Sequence, residues 1–276
     1  MKNIFLIISF VFLSIKPIQA QDLPRCISLA PSTTEILFAL GLDDEIVAVS
    51  SFCNYPDKVK TKEKVGDFSS PNIEKIVSLR PDYIFCTGLE QAPIIHKLKR
   101  LNLKVYVADP KNVKELFETI LDIGKITKRE YAAQILVKNI EQELREVSEK
   151  VELTPQEKRP RVFIEIWHDP LTTAGAGSLI DEIITLAGGI NIATDTKRPY
   201  SIFSPEEVIQ RNPDCVILTY MEKNKPLKIL ERRLGWNNIT AVKQNRVFND
   251  IDPNIVLRPG PRIGKAVKEI YQRLYL

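Results

Sequence analysis

The chain is poor in histidine and cysteine. Its 276 residues include two His, His96 and His168, and four Cys, at positions 26, 53, 86 and 215. A zinc or manganese centre draws on several His or on closely spaced Cys, and none of these spacings suits one. His96 falls on a predicted helix among lysines, a solvated position, and His168 sits at the strand-to-loop corner Trp167-His-Asp-Pro170. There is no Gly-x-Ser-x-Gly elbow, no Cys in a recognisable reactive setting and no carboxylate pair that stands out for acid–base work. Gly175-Ala-Gly177-Ser-Leu-Ile180 resembles a dinucleotide loop, but Ile180 occupies the third Gly position and the preceding strand ends too early. A loop that caps a helix is the better reading. Charge of one sign is lacking too. The formal net charge is +4, and an excess so small, spread along the chain, does not argue for a nucleic-acid partner. No charged or low-complexity block suggests disorder.

The first twenty residues read as a signal peptide, 1–20. Lys2 starts a short basic region, and Ile4 to Ile15 form an apolar run short for a bilayer span. Ile18 and Ala20 then stand at the −3 and −1 positions of a cleavage site after Ala20. An N-terminal membrane anchor is the alternative. No Cys directly follows Ala20, which argues against a lipid anchor through an N-terminal Cys. The mature protein is therefore expected to be exported and soluble, in the periplasm. Exported proteins pair cysteines. Here Cys26, Cys86 and Cys215 lie in predicted buried strands, where Cys serves as a small hydrophobe, and no disulfide is expected to be essential.

What is present is a repeat. Glu74-Lys-Ile-Val-Ser-Leu-Arg-Pro81-Asp82-Tyr-Ile-Phe returns as Glu206-Glu-Val-Ile-Gln-Arg-Asn-Pro213-Asp214-Cys-Val-Ile-Leu. Glu74 matches Glu206, Pro81 matches Pro213 and Asp82 matches Asp214. Two similar αβ units suggest two similar lobes, with a ligand cleft between them. The length suits two domains.

Strands are predicted at 26–30, 46–49, 83–85, 105–107, 161–166, 215–218 and 246–248. Between them run helices at 31–40, 73–79, around 96–100, 178–187, 225–234 and 263–276, and this alternation implies parallel sheets. Ser32 or Thr33 is expected to cap the first helix, with Glu35 in its first turn. From 128 to about 151, Ala133, Leu136, Ile140, Leu144, Val147 and Val151 recur three or four apart without Gly or Pro. Such a helix is about 35 Å long, enough to cross the back of both lobes; a surface helix of one domain is the alternative. The expected division is a lobe at 21–127, a linking helix at 128–153 and a lobe at 154–276.

Phe52, Tyr55, Phe68, Trp167 and Tyr200 lie just after strands or in Pro-containing connections. Core packing is the default for any one of them. As a set they could line a cleft for a large flat apolar ligand. Arg258-Pro-Gly-Pro-Arg262 adds two cations on a rigid loop, able to meet amide or phosphate oxygens; helix capping by Arg262 is the alternative. Glu74 and Glu206 each open a short helix, where the dipole favours a carboxylate. One on each lobe, they could also dock onto Arg residues of a two-fold symmetric partner.

Taken together, Leu29-Ala-Pro-Ser-Thr-Thr-Glu35, Glu165-Ile-Trp-His-Asp-Pro170, Ala187-Gly-Gly-Ile-Asn191, the two Glu…Pro-Asp units and Arg258-Pro-Gly-Pro-Arg262 resemble the periplasmic cobalamin-binding proteins of ABC importers. The wider clan also binds siderophores and haem. The resemblance implies an α/β fold of two Rossmann-like lobes joined by a single long helix, with the ligand between them. It implies a non-enzymatic, monomeric carrier without a resident cofactor, which delivers cobalamin or a related corrinoid to the permease dimer of an inner-membrane ABC importer. Permease docking carries over to Glu74 and Glu206. Ligand contacts carry over to Phe52, Phe68, Tyr200 and Arg258, and Trp167 sits in the family's Trp-His-Asp-Pro loop. Phe52 stands in place of a family Tyr, Phe68 in place of a Trp and Thr87 in place of an aromatic residue, and the disulfide of some members has no counterpart. The nearest rival keeps the fold and changes the ligand to a ferric siderophore or haem, with Tyr55, Tyr200 or His168 serving the iron of haem. More remote are an exported α/β enzyme using a nucleotide at the Gly175 loop and a partner protein with no ligand.

Overall fold

A computed structural model describes residues 23–220, 230 and 233–276. The predicted leader and most of the predicted helix at 225–234 lie outside the described residues. The N-terminal part contains β1 (Cys26–Ser28), α1 (Pro31–Ala39), β2 (Ile46–Val49), β3 (Glu63–Lys64), α2 (Ile73–Ser78), β4 (Tyr83–Cys86), α3 (Ala92–Arg100), β5 (Val105–Val107) and α4 (Val113–Ile126). Its strands form one parallel sheet in the order β3-β2-β1-β4-β5. Parallel neighbours need crossover connections, and α1 to α3 lie in them.

The long helix α5 (Glu130–Glu152) follows. Beyond it come β6 (Arg161–Glu165), β7 (Trp167–His168), β8 (Leu171–Ala174), α6 (Leu179–Leu186), β9 (Ile190–Asn191), β10 (Tyr200–Ile202), α7 (Pro205–Arg211), β11 (Cys215–Leu218), α8 (Thr240–Lys243), β12 (Val247–Phe248), α9 (Pro253–Leu257) and α10 (Ile263–Tyr275). The second parallel sheet has the order β12-β11-β6-β9, and a small antiparallel sheet runs β10-β8-β7. The molecule is thus two Rossmann-like lobes joined by α5.

The repeat has a structural cause. In the first lobe Asp82 accepts a hydrogen bond from the Arg25 amide at 2.8 Å, and its own amide donates to the Arg25 carbonyl at 2.9 Å. In the second, Asp214 makes the same pair with Arg161, both at 2.8 Å. Each Asp therefore fixes the register of a central strand (β4 or β11) against the first strand of its lobe. Arg80 and Asn212, one residue before each Pro-Asp, both hold positive φ, 47° and 43°. This sharp turn sends the chain from helix back into the sheet.

α5 buries Ala133, Ile140, Val147 and Val151. It packs on α4 from one lobe and on α6 and α10 from the other. Glycines permit the close approach: a Cβ at Gly124 would strike the side chain of Ala133, and one at Gly264 would strike Glu143. A single apolar cluster consequently runs from Cys26 through α5 to Leu274.

Several features depart from the sequence reading, among them β3, β9, α8 and α9, which are too short for a periodic signal. α4 was not anticipated, although Val113, Leu116, Ile120 and Ile123 form its buried stripe. The β7–β8–β10 sheet was not anticipated either; its strands are two to four residues long, too short for a periodic signal. Neither Ser32 nor Thr33 caps α1. Ala30 is the N-cap residue, Pro31 takes the first helical position, where an N–H is not needed, and Ser32 and Thr33 lie buried inside the helix. Thr33 and Thr34 instead donate to the Ala30 carbonyl, both at 3.0 Å.

Candidate functional site

A cleft of about 650 Å³ opens between the lobes. The N-terminal lobe lines it with residues that follow β1, β4 and β5, namely 30–32, 87–88 and 109–111, together with Phe68 and Glu90. The carboxyl ends of these strands, where the order reverses about β1, are the usual ligand crevice of an open α/β sheet. The C-terminal lobe contributes 177–180 at the start of α6, 198–200 leading into β10, and 256–259.

Of the residues singled out in the sequence, Phe68, Tyr200 and Arg258 come together in this lining. Phe52 and Trp167 do not belong to it. Phe52 is 55 % exposed and Trp167 45 % exposed. Trp167 donates its indole N–H to the Asp169 carbonyl at 2.8 Å, and its ring leans on His168. His168 also lies outside the lining, His96 is exposed on α3, and the ring of Tyr55 sits under the Arg262 guanidinium at 4.1 Å.

Two residues that the sequence reading did not assign organise the site. Gln91 is fully buried. Its amide accepts from the Thr87 N–H at 2.9 Å and donates to the carbonyls of Phe68 and Leu29 at 2.7 and 3.1 Å. It thus ties three cleft loops together and fixes the backbone that carries Phe68. Glu35 accepts hydrogen bonds from both Arg258 and Arg262. A signal was present: Ile36, Leu37, Phe38 and Leu40 follow it directly, and an α1 this apolar offers a carboxylate no solvated face. Arg262 is the N-cap residue of α10 by its backbone, but its side chain makes no cap bond there.

Asp109 reaches over Gly88, where any Cβ would collide with its carboxylate, and binds Lys111 Nζ at 2.5 Å. Although Tyr200 is half exposed, the buried part of its ring and secondarily the Asp109 charge push its phenol above the ordinary value of 10.0. In an alkaline ultraviolet titration the Tyr200 signal, defined by difference from Tyr200→Phe, is expected only above that value. Asp109→Asn should move it back down. A tyrosinate signal near neutral pH would contradict this geometry.

Glu74 and Glu206 lie outside the cleft lining, each the second residue of its helix, α2 or α7, and each exposed. Asn72 and Ser204 cap those helices, accepting from the amides of Lys75 and Glu207 at 2.9 and 3.0 Å. All four cysteines are buried and free, and burial drives the thiols of Cys26, Cys86 and Cys215 up to about 12. These three are packing groups with little thiolate character. Among the described residues no three His, Cys, Asp or Glu side chains cluster as a metal site, and no helix is long and apolar enough to cross a membrane.

Comparison with known families places the architecture. The family model described as periplasmic binding protein matches residues 26–253. The chain belongs to this family. An uncharacterised ABC transporter substrate-binding lipoprotein of Bacillus subtilis, YvrC, is 35 % identical over 256 residues, 91 % of this chain and 80 % of the relative. Among solved structures, a possible iron-binding periplasmic solute-binding protein of Staphylococcus epidermidis superposes with a TM-score of 0.81 at 30 % identity, covering 92 % of this chain and all of that one. The periplasmic vitamin B12-binding protein BtuF of Vibrio cholerae gives 0.77 at 27 % identity, covering 91 % of this chain and 96 % of that one. These family members are binding proteins, and their two-lobed form is the form seen here.

Proposed function

We propose that this protein captures a corrinoid, cobalamin foremost, between its lobes and delivers it to an inner-membrane ABC importer. In this reading residues 1–20 direct export to the periplasm and are removed after Ala20, and the mature chain acts as a monomeric, non-enzymatic carrier. The observation that carries the proposal is the meeting of Phe68 from one lobe with Tyr200 and Arg258 from the other around one large cleft. Aromatic faces suit a wide, flat macrocycle. Arg258 suits the amide or phosphate oxygens at its edge. The proposal makes no use of Phe52 or Trp167 as direct contacts, and it assigns permease docking to Glu74 and Glu206. Vitamin B12-binding proteins among the relatives support the same ligand.

Haem is disfavoured by two of the three side chains that would have to serve its iron: Tyr55 faces the Arg262 guanidinium, and His168 lies outside the cleft lining. The test is a thermal-shift panel on residues 21–276 with cyanocobalamin, haemin and a ferric siderophore. At a ligand concentration a hundred times Kd, binding stabilises by about 2.7 kcal/mol, and only cyanocobalamin is expected to do so. A shift with haemin or the siderophore alone would replace the proposed ligand.

A further inference from the structure

Glu35 sits on α1 of the N-terminal lobe with its side chain 1 % exposed, yet the cations that neutralise it come from the C-terminal lobe. Arg262 grips it as a fork, Nε to Oε2 and Nη2 to Oε1, both at 2.7 Å. Arg258 adds Nη1 to Oε1 at 3.0 Å, and the same nitrogen reaches Asn54 Oδ1 of the N-terminal lobe at 2.8 Å. A second carboxylate crosses in the opposite sense: Glu182 on α6 accepts from the Val113 amide of α4 at 2.8 Å. Lys111 and Ile180, two residues from each partner, line the same cleft.

The two arginines are used differently. Arg262 is consumed by the protein, with Glu35 on one edge, Asp252 at 3.5 Å and the Tyr55 ring under its plane. Arg258 lines the cleft, and its Nε and Nη2 have no partner among the described residues. A carboxylate buried this deeply is stable only when paired and hydrogen-bonded. Glu35 and Asp252 together balance the two guanidiniums, and the arginine with free donors is the one in the cleft.

The geometry points to Glu35 as the positioning residue of the site. It locks the Arg258–Arg262 loop onto the opposite lobe, so setting the aperture of the cleft, and it holds Arg258 with two donors presented to a ligand oxygen. The second half of this statement rests on the cleft being the corrinoid site; the first half does not.

The test therefore has two arms. Spin labels on Ser69→Cys and Thr194→Cys, exposed positions on opposite lobes, report the inter-lobe distance without ligand; the native cysteines are buried. The parent protein should give one narrow distribution and Glu35→Gln a broadened or displaced one. The second arm is a double-mutant cycle on cyanocobalamin affinity. Glu35→Gln is expected to weaken binding about 10-fold or more, the scale of a charged hydrogen bond, and to cause a smaller loss in an Arg258→Ala background, where only the Arg262 lock is left to lose. Arg262→Lys keeps the charge but loses the fork, and should show both effects in weaker form should Glu35→Gln not fold. An unchanged distance distribution overturns the lock. An equal loss of affinity with and without Arg258 overturns the positioning role. Absence of cyanocobalamin binding in the parent protein refutes the proposed ligand and with it the role toward that ligand, while the distance arm still decides the lock.

Discussion

Reversing the charge at Glu74 and Glu206 together, to Arg, is expected to cut importer-dependent uptake by about 100-fold or more while leaving ligand affinity unchanged and lowering the melting temperature by no more than a few degrees. Both carboxylates are exposed and without a partner among the described residues, on the first turns of α2 and α7. Each helix N-terminus is its own source of positive potential, so a carboxylate there is locally favourable and its loss costs the fold only tenths of a kcal/mol. The repeat gives each lobe one such group, and a two-fold symmetric permease could receive them in equivalent pockets. Truncating one side of a desolvated charge pair costs 2–5 kcal/mol, and reversal adds repulsion. Single reversals should give intermediate losses. Uptake in cells, or ligand-stimulated ATPase of the reconstituted importer, reads the effect. Undiminished uptake by the double variant would remove these residues from the interface.

The largest stability effect is expected at Arg233. Glu165 ends β6 wholly buried, and Arg233 meets it with two bonds of 2.6 Å while stacking over Trp236 at 4.5 Å. Removing one partner of a buried pair leaves an uncompensated charge, and Arg233→Ala should cost about 3–5 kcal/mol at neutral pH. The loss should depend on pH in a defined sense. Burial raises the Glu165 pKa, and Arg233 pulls against that rise. Without the guanidinium the folded-state value climbs further above the unfolded one, so the fold binds this proton more tightly than the unfolded chain does. Stability is then retained below the ordinary carboxylate range and lost as pH rises through the raised value. Denaturant titrations of parent and variant across pH 4–8 should show the gap widening with pH, and a gap that narrows would contradict the arrangement.

The lobes were legible because two different periodicities carry them. α5 declares itself through Ala133, Ile140, Val147 and Val151, spaced for one helical face, and these are the residues it buries. The repeat marked the lobes because the same mechanical task, an Asp clamping one strand to the next, needs the same residues twice. The site was legible by halves. Phe68, Tyr200 and Arg258 could be picked out as aromatic or cationic residues in loops, but loop residues carry no period, and whether a side chain enters the cleft depends on loop paths that local sequence does not encode. Phe52 and Trp167 looked equivalent in the sequence and stand elsewhere. Glu35 and Gln91 were harder still, because their partners lie in distant segments: Arg258 and Arg262 for one, Leu29 and Phe68 for the other. The apolar run after Glu35 signals its burial, but nothing local names the partners of either side chain.

The most direct measurement is a calorimetric titration of residues 21–276 with cyanocobalamin, repeated on Phe68→Ala and Arg258→Ala. The account predicts saturable one-to-one binding tighter than micromolar, weakened in both variants. No binding of cyanocobalamin, or binding that ignores both substitutions, would contradict it.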